Sequence, residues 1–324
     1  MKTVDMHCDT ISRSSNLKEN NGHLDLVKMQ KGDYLLQNFA AFVDTSKYSD
    51  PWQRVCELIN IFNREIEKNS ELISPVYCFD DIENNMRAGK MSALLTVEEG
   101  AVCGGDINKL KELYMAGVRM MTLTWNYPNE LGNPNYRSYG SEKHYHELKN
   151  IPDTENGLTE KGKEFVCEMV KMGMIPDVSH LSDAGFFDVA ELSQKPFVAS
   201  HSNARAICRN VRNLTDQMIR VLAEKGGVMG LNYCPDFLKE GQEGKPNPGT
   251  IEDIILHAKH ITNTGGIEVL GLGSDFDGID GHSELRGAHD MGKLWDAFIK
   301  NGFSESQTDK IFSENVLRVY KDFF

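Results

Sequence analysis

Short apolar segments rich in β-branched residues alternate along this chain with longer segments in which apolar residues return every three or four positions. The short segments have the composition of strands buried on both faces, and the longer ones have the period of amphipathic helices. This alternation is typical of βα units around a parallel sheet. It predicts eight strands, at Thr3–Asp9, Leu35–Asp44, Ser92–Glu99, Val118–Trp125, Ile175–His180, Pro196–Ser202, Gly227–Tyr233 and Val269–Asp277.

Amphipathic helices are predicted between these strands, at Trp52–Lys68, Ile107–Ala116, Glu160–Met172, Asp183–Leu192, Asp216–Glu224 and Ile251–Thr262. Eight βα units in 324 residues match the size of a (β/α)₈ TIM-type barrel. We therefore predict an α/β fold with a single barrel domain over residues 1–324. Because periodicity does not report closure, an open doubly wound sheet is the alternative.

Two polar segments interrupt this rhythm, and each follows a predicted strand. They are Pro128–Asn156 and Cys234–Thr250. Loops after barrel strands lie on the face where such barrels place their active sites. We expect these segments to form lids or substrate walls, or else to be tolerated surface insertions.

Charge and composition limit the partners of the chain. It has 48 acidic and 35 basic residues, a formal net charge of −13, and is 40% hydrophobic. A globular chain with this excess of acid lacks the clustered cations that bind a phosphate backbone, so we expect no nucleic-acid partner.

Membrane and redox signals are also weak. The opening residues hold no apolar stretch of signal-peptide length, and no segment is long and apolar enough to span a bilayer. The seven cysteines are scattered, with no CxxC pair. We therefore expect a cytoplasmic protein with reduced thiols and no membrane partner.

Metal-binding residue types recur at the ends of the predicted strands. His7 and Asp9 are two residues apart, so on a strand they project to the same face. His180 and His201 end the fifth and sixth strands, and Glu98 lies at the end of the third. In a closed barrel these ends converge, and imidazole and carboxylate are ligands that zinc takes. Each residue taken alone also fits an ordinary hydrogen-bonded strand end.

The last predicted strand adds a candidate proton acceptor, Asp275, in the segment Gly271–Gly278. A carboxylate there is suited to accept a proton from a water molecule that a metal ion has acidified. The segment lacks the third glycine of a dinucleotide site, and Ile279 stands where a calcium loop needs an oxygen ligand. Two acids that cap a turn are the alternative interpretation.

The ordered segments HCDT, TVEEG, MTLTWN, DVSH, SHSNAR, VRNLTD and GLGSDFDG resemble the membrane (renal) dipeptidase family and its bacterial members. The resemblance runs from His7 to the C-terminal segment Asn315–Val319. It implies a barrel of the metal-dependent hydrolase kind that cleaves dipeptides and tolerates a C-terminal D-residue. A homodimer is implied only by this resemblance.

The resemblance also implies a role for each site residue. Two zinc ions are expected, one held by His7 and Asp9 and the other by His180 and His201, with Glu98 bridging them as a ligand and catalytic residue. A hydroxide between the metals attacks the scissile carbonyl. Asp275 is expected to pass the proton to the leaving amine, and Arg212 to pair with the C-terminal carboxylate of the substrate. Without the resemblance, Arg212 would be expected at the surface.

Two departures from the family concern substrate binding and the second acid. Animal members carry a histidine at the position of Trp125, which has a single N–H donor and cannot act as an acid. We therefore expect Trp125 and Asn126 to contact substrate, with the role of the missing histidine left open. Glu99 replaces a glycine of many members, and strand alternation predicts that its side chain points away from the metals.

Two other functions remain open on the sequence alone. The first is another binuclear amidohydrolase, such as a deacetylase or a lactonase, on the same metal site. The second is a barrel that binds a ligand without catalysis. This alternative is disfavoured because every expected metal ligand is present.

Overall fold

The computed structural model describes residues 1–136, 149–241, 247–279 and 283–324. The centres of both polar insertions, residues 137–148 and 242–246, lie outside these ranges. All strands belong to one parallel sheet. They are β1 Thr3–Asp5, β2 Tyr34–Phe42, β3 Ile73–Pro75, β4 Met91–Glu98, β5 Val118–Thr122, β6 Ile175–Asp177, β7 Val198–Ala199, β8 Val228–Leu231 and β9 Leu270–Leu272.

Eight of these strands close into a barrel. The order β2-β1-β9-β8-β7-β6-β5-β4 is completed by pairing of β2 with β4, from Leu36 opposite Ser92 to Phe42 opposite Glu98. The predicted (β/α)₈ TIM-type barrel is thus confirmed, and the open sheet is excluded. The short β3 pairs with the first residues of β4, and β5 pairs with the last residues of β4 on the way round the barrel.

Helices surround the barrel. They are α1 Thr10–Arg13, α2 Leu26–Lys31, α3 Pro51–Lys68, α4 Phe79–Arg87, α5 Ile107–Met115, α6 Glu160–Met172, α7 Asp183–Leu192, α8 Asp216–Glu224, α9 Pro235–Leu238, α10 Ile251–Gly265, α11 Met291–Lys300, α12 Glu305–Asp309 and α13 Asn315–Phe323. The helix α3 shows why they form: Asp50 caps it by accepting from the N–H of Gln53, and Pro51 suits its first turn. No helix of the described ranges is both long and apolar enough to cross a membrane.

The core divides into an outer layer between sheet and helices and a smaller cluster that includes side chains from most of the barrel strands. The smaller cluster contains Val4, Met6, Leu36, Leu94, Met120, Ile175, Val198 and Val228. The helix α13 packs into the same cluster through Val316, Val319 and Tyr320. The Tyr320 hydroxyl and the Asn38 side chain exchange hydrogen bonds of 2.7 and 3.0 Å, so this buried polar pair is satisfied.

Several strands end earlier than the apolar pattern predicts. The predicted Thr3–Asp9 is a strand only to Asp5, and the predicted Ile175–His180 only to Asp177. After β1 the pairing becomes irregular rather than ending, because Met6 and Asp9 still donate their N–H groups to the carbonyls of Leu272 and Phe276. The pattern located the eight barrel strands, overestimated the length of several of them and missed the short β3.

Candidate metal centre

The five residues proposed as metal ligands meet at the carboxyl ends of four strands of the barrel. Glu98 is the last residue of β4, and the others follow the ends of β1, β6 and β7 by two to four residues. All are buried: His7, Asp9, Glu98, His180 and His201 are at most 8% exposed. Burying polar groups costs free energy unless they have partners, so we expect the nitrogen and oxygen atoms of this cluster to bind one another or a ligand.

Glu98 stands at the centre of the cluster with its two oxygens facing different imidazoles. Oε2 lies 3.3 Å from Nε2 of His7, and Oε1 lies 3.0 Å from Nε2 of His180 and 3.8 Å from Nε2 of His201. The carboxylate therefore divides the cluster into two parts. This is the arrangement expected of a carboxylate shared by two cations.

The spacing of the donor atoms suits divalent metal ions. Nε2 of His180 and Nε2 of His201 are 3.0 Å apart, and Nε2 of His7 lies 3.9 Å from Oδ1 of Asp9. Two ligands on one tetrahedral zinc ion are about 3.3 Å apart for bond lengths of about 2.0 to 2.1 Å. Nε2 of His7 and Oδ1 of Asp9 are buried and make no hydrogen bond to any described residue. Unpaired buried donors at this spacing fit a metal site.

The imidazoles of the cluster differ in charge. Burial alone would lower the pKa of His7, but the nearby carboxylates of Glu98, Asp9 and Asp275 outweigh it and raise that pKa to about 10. Burial lowers the pKa of His180 to about 4, helped by the positive charge of Arg212. Without metal, these pKa shifts favour a charged imidazole at His7 and a neutral one at His180 at neutral pH.

Backbone strain concentrates at this site. Glu99, His180, Asp275 and Asp277 have φ angles of 94°, 71°, 61° and 67°, a region that non-glycine residues rarely adopt. Side-chain bonds hold the strained turn after β9, because Asp277 accepts from the Thr10 hydroxyl at 2.6 Å and from the N–H of His23 at 2.6 Å. Such conformations persist where the surroundings enforce them, as at active sites.

Asp275 lies beside the ligands with one oxygen held and the other facing them. The Asn232 amide donates to Oδ2 at 2.9 Å, and Oδ1 lies 3.8 Å from Nε2 of His7. Burial raises the pKa of Asp275 to about 6, and the negative charge of Glu98 adds to the effect. A side chain added at Gly278 would overlap the carboxylates of Asp275 and Asp9, so glycine is required for their approach.

Arg212 is buried, at 4% exposure, and the expectation of a surface residue from the chain pattern alone was wrong. One of its terminal nitrogens donates to the carbonyl of His201 at 3.3 Å, and its guanidinium lies 5.4 Å from the ring of Phe237. Its Nε has no hydrogen-bond partner among the described residues. A buried cation with an unused donor beside the cluster is suited to an anionic ligand.

A cavity of roughly 620 Å³ opens onto the cluster. Trp125 and Asn126, the residues predicted to contact substrate, both line it. Their contact with substrate stays a prediction. The indole packs against Phe42 with ring centroids 4.9 Å apart, which gives the cavity an aromatic wall. The Oδ1 atom of Asn126 lies 2.9 Å from Nδ1 of His180.

The structure also shows functional contacts that the sequence did not reveal. Glu99 is directed away from the ligands, as predicted, but it is not idle: it accepts from the N–H of Trp125 at 3.2 Å and from the amide of Asn129 at 2.6 Å. It thereby fixes the loop that carries the cavity wall. Asn232, which holds Asp275, was also missed, since no local signal distinguishes it from other polar residues at strand ends.

Known proteins resemble this chain over nearly its full length. The family model for membrane dipeptidases, peptidase family M19, matches residues 1–323. An uncharacterized dipeptidase of Schizosaccharomyces pombe is 30% identical over 317 residues, covering 92% of this chain and 72% of that protein.

Two solved structures share the fold. Dipeptidase AC, a metallo peptidase of family M19, has a TM-score of 0.88 at 26% identity, covering 100% of this chain and 98% of its own. A metallo peptidase from Rhodobacter sphaeroides, liganded with a phosphinate mimic of the dipeptide L-Ala-D-Ala, has a TM-score of 0.86 at 25% identity, covering 100% and 99%. Together with the full-length family match, these likenesses show that the chain belongs to the membrane dipeptidase family, peptidase family M19, and is a metal-dependent hydrolase.

Proposed function

We propose that this protein is a zinc-dependent dipeptidase that hydrolyses the peptide bond of free dipeptides and accepts a D-residue at their C-terminal position. The observation that carries this proposal is the buried guanidinium of Arg212 next to the ligand cluster. A hydrolase with metals alone would act on many amides. A carboxylate receptor at this distance selects substrates that end one residue after the bond to be cut.

The ligand geometry supports two zinc ions. His7 and Asp9 would hold one ion, His180 and His201 the other, and Glu98 would contribute one oxygen to each. Bound there, the ions would lower the pKa of a water molecule to about 7, so that it reacts as hydroxide, and would polarise the scissile carbonyl. Neutral imidazole at His180 is the form that binds metal, and its lowered pKa favours that form.

Asp275 is placed to move the proton of the reaction. Its Oδ1 faces the cluster while Asn232 holds its Oδ2, so the carboxylate is oriented and keeps one oxygen for proton transfer. A pKa of about 6 lies close to neutrality, where a group can both accept and release a proton. We assign Asp275 as the residue that accepts the proton of the attacking water and donates it to the leaving amine.

Arg212 binds the C-terminal carboxylate of the substrate in this proposal. Its guanidinium contacts the backbone carbonyl of His201, a proposed ligand, so we expect a carboxylate bound to it to belong to the residue that follows the scissile bond. Longer peptides would place that carboxylate too far away. Trp125 and Asn126 would line the space for the rest of the dipeptide.

Tolerance of a D-residue is supported by the Rhodobacter sphaeroides structure, whose ligand mimics L-Ala-D-Ala. That protein covers this chain completely and is 25% identical to it. Stereochemistry at the C-terminal residue is the finer part of the proposal, and the substrate panel below tests it directly.

The test compares substrates that differ only in the terminal carboxylate. Zinc-loaded protein is assayed on L,L- and L,D-dipeptides, on the matching dipeptide amides, and on N-acetyl amino acids and lactones. We expect free dipeptides of both series to be cleaved, and amides far more slowly. Turnover confined to acetylated amino acids or lactones would replace the dipeptidase with another amidohydrolase.

Replacing the guanidinium gives the matching variant test. Loss of a charge-assisted hydrogen bond of about 1.5 to 3 kcal/mol in Arg212→Met should raise KM for free dipeptides by about 10- to 100-fold. Arg209→Met, an exposed arginine of the same segment, should leave KM unchanged. Equal kinetics of Arg212→Met and the wild type on free dipeptides would remove Arg212 from substrate binding.

A further inference from the structure

The two imidazoles on one side of Glu98 are each engaged at both ring nitrogens. Their Nε2 atoms face the cluster, as described above. Their Nδ1 atoms point outward, that of His180 to Oδ1 of Asn126 at 2.9 Å and that of His201 to the hydroxyl of Ser200 at 2.7 Å. A histidine that binds metal through one nitrogen carries its hydrogen on the other, so the outer partner decides which nitrogen is free.

The hydroxyl of Ser200 is directed by a buried carboxylate. It donates to Oδ2 of Asp177 at 2.6 Å, and the same oxygen accepts from the Thr122 hydroxyl at 2.7 Å. The other oxygen of Asp177 accepts from the backbone N–H groups of Ser179 and Ser200 at 3.0 and 2.9 Å. With four donors aimed at it, Asp177 acts only as an acceptor. The Ser200 proton is therefore committed to Asp177, and its lone pair accepts from Nδ1 of His201.

Asn126 performs the same task for His180 with a different group. An amide oxygen can only accept, so a hydrogen bond to Oδ1 requires the proton of His180 on Nδ1, which donates it. Asn126, which the sequence assigns to substrate contact, thus has the oxygen of its amide held by His180. The amide nitrogen is the end that remains for the cavity that Asn126 lines.

The consequence for the inner nitrogens is an arrangement that needs a cation. With both hydrogens on Nδ1, the two Nε2 lone pairs face each other across 3.0 Å. Two lone pairs at that distance repel unless a positive ion lies between them. The outer hydrogen bonds therefore leave the inner nitrogens in the form that binds a metal ion.

We infer that Asn126 and Ser200, the latter backed by Asp177, are positioning residues that hold His180 and His201 in the orientation and tautomer that bind one metal ion. The inference rests on the metal site of the proposed function but not on its substrate. Removing a partner of a metal-binding histidine typically weakens metal binding by about 10- to 100-fold.

The experiment measures zinc binding directly, by competition with a chromophoric chelator and by metal analysis of the purified full chain. Ser200→Ala should weaken the binding of one of the two zinc ions by about 10- to 100-fold and leave the affinity for the other unchanged. The matched control is Ser202→Ala, a buried serine on the other side of His201 whose hydroxyl has no hydrogen-bond partner in the described ranges. It should bind both ions as the wild type does.

Asn126 supplies an independent arm, because it is only half-buried and its replacement does not open the core. Asn126→Leu keeps the shape and loses the acceptor, so it should weaken the same zinc ion. Asn126→Asp keeps an acceptor oxygen and should retain both. The inference is overturned if Ser200→Ala and Asn126→Leu bind two zinc ions with wild-type affinity, or if Ser202→Ala loses as much as Ser200→Ala. Zinc affinity is measured without substrate, so failure of dipeptide cleavage would be seen separately.

Discussion

The side of the candidate metal centre formed by His7, Asp9 and Asp275, here the aspartate half, and the side formed by His180 and His201, here the histidine half, share Glu98 but are organised differently. In the aspartate half, carboxylates crowd one imidazole and raise its pKa to about 10. In the histidine half, burial lowers the pKa of both imidazoles, and hydrogen bonds on their outer nitrogens hold them. Charge organises one half, and directed hydrogen bonds organise the other.

The largest effect should come from the residue that the halves share. Glu98→Gln replaces two acceptor oxygens by one and leaves a donor facing imidazoles, so both ions lose a ligand. We expect less than one zinc ion per chain by metal analysis and dipeptidase activity no higher than that of metal-free protein. Retention of two tightly bound ions would show that the halves bind metal independently of Glu98.

The second prediction removes proton transfer while it keeps the metals. Asp275→Asn retains the shape and a polar group near His7 but cannot accept a proton. Turnover of dipeptides should fall by about 10² to 10⁴-fold. Metal analysis should still find two zinc ions. Unchanged turnover would exclude Asp275 as the proton carrier.

A third variant disturbs only the aspartate half. In Gly278→Ala, the new methyl group overlaps the carboxylates of Asp275 and Asp9 and separates them. We expect roughly 10- to 100-fold weaker binding of one zinc ion, with the histidine half unaffected. Gly292→Ala is the control, since a side chain there meets no atom within 4 Å. Equal losses of both ions would show that the halves are not separable.

The smallest effect concerns burial of an imidazole without metal. His257 is fully buried, accepts from the N–H of Ala204 and donates to the carbonyl of Leu238, and burial lowers its pKa to about 4. The unfolded chain has a pKa near 6.5 there, so between about pH 6.5 and 4 only the unfolded state binds the proton. Stability is therefore complete above pH 6.5 and decreases as the pH falls, by about 3 kcal/mol at most.

His257→Gln should remove this part of the pH dependence. Denaturant unfolding gives the free energy of unfolding of the wild type and the variant at pH 7 and at pH 5. The change in that free energy between the two pH values should be larger for the wild type than for the variant. Parallel curves would mean that burial does not lower the pKa of this imidazole. It would also weaken the explanation of the neutral histidine half.

The convergence of the five proposed ligands was predictable because they lie at or just after the ends of four strands, and the ends of parallel strands converge in a closed barrel. The hydrogen bonds that orient them were not. Asn126 and His180 are 54 residues apart, and Asn232 and Asp275 are 43 apart. Nothing in the local pattern of either residue indicates its partner, because those contacts depend on the exact course of loops after the strands.

The wrong expectation for Arg212 and the failure to predict β3 have a common cause. Arg212 is polar and lies in a polar segment, so local pattern predicts exposure, yet the segment folds back over the barrel and buries it. The strand β3 is only three residues long and lies between the stronger signals of α3 and β4. Tertiary packing decided both outcomes, and short or polar segments carry little periodicity from which to infer it.

The pairing of β1 with β9 means that the first strand of the barrel can be fixed only after the last strand has been synthesised. His7 and Asp9 are synthesised long before their partners: the N–H of Asp9 donates to the carbonyl of Phe276, and the carbonyl of His7 accepts from the hydroxyl of Ser274, 267 residues later in the chain. The nascent chain therefore cannot fix its earliest ligands until its last barrel strand has emerged. If the proposed function is correct, we expect the aspartate half to bind metal only after that strand has been synthesised.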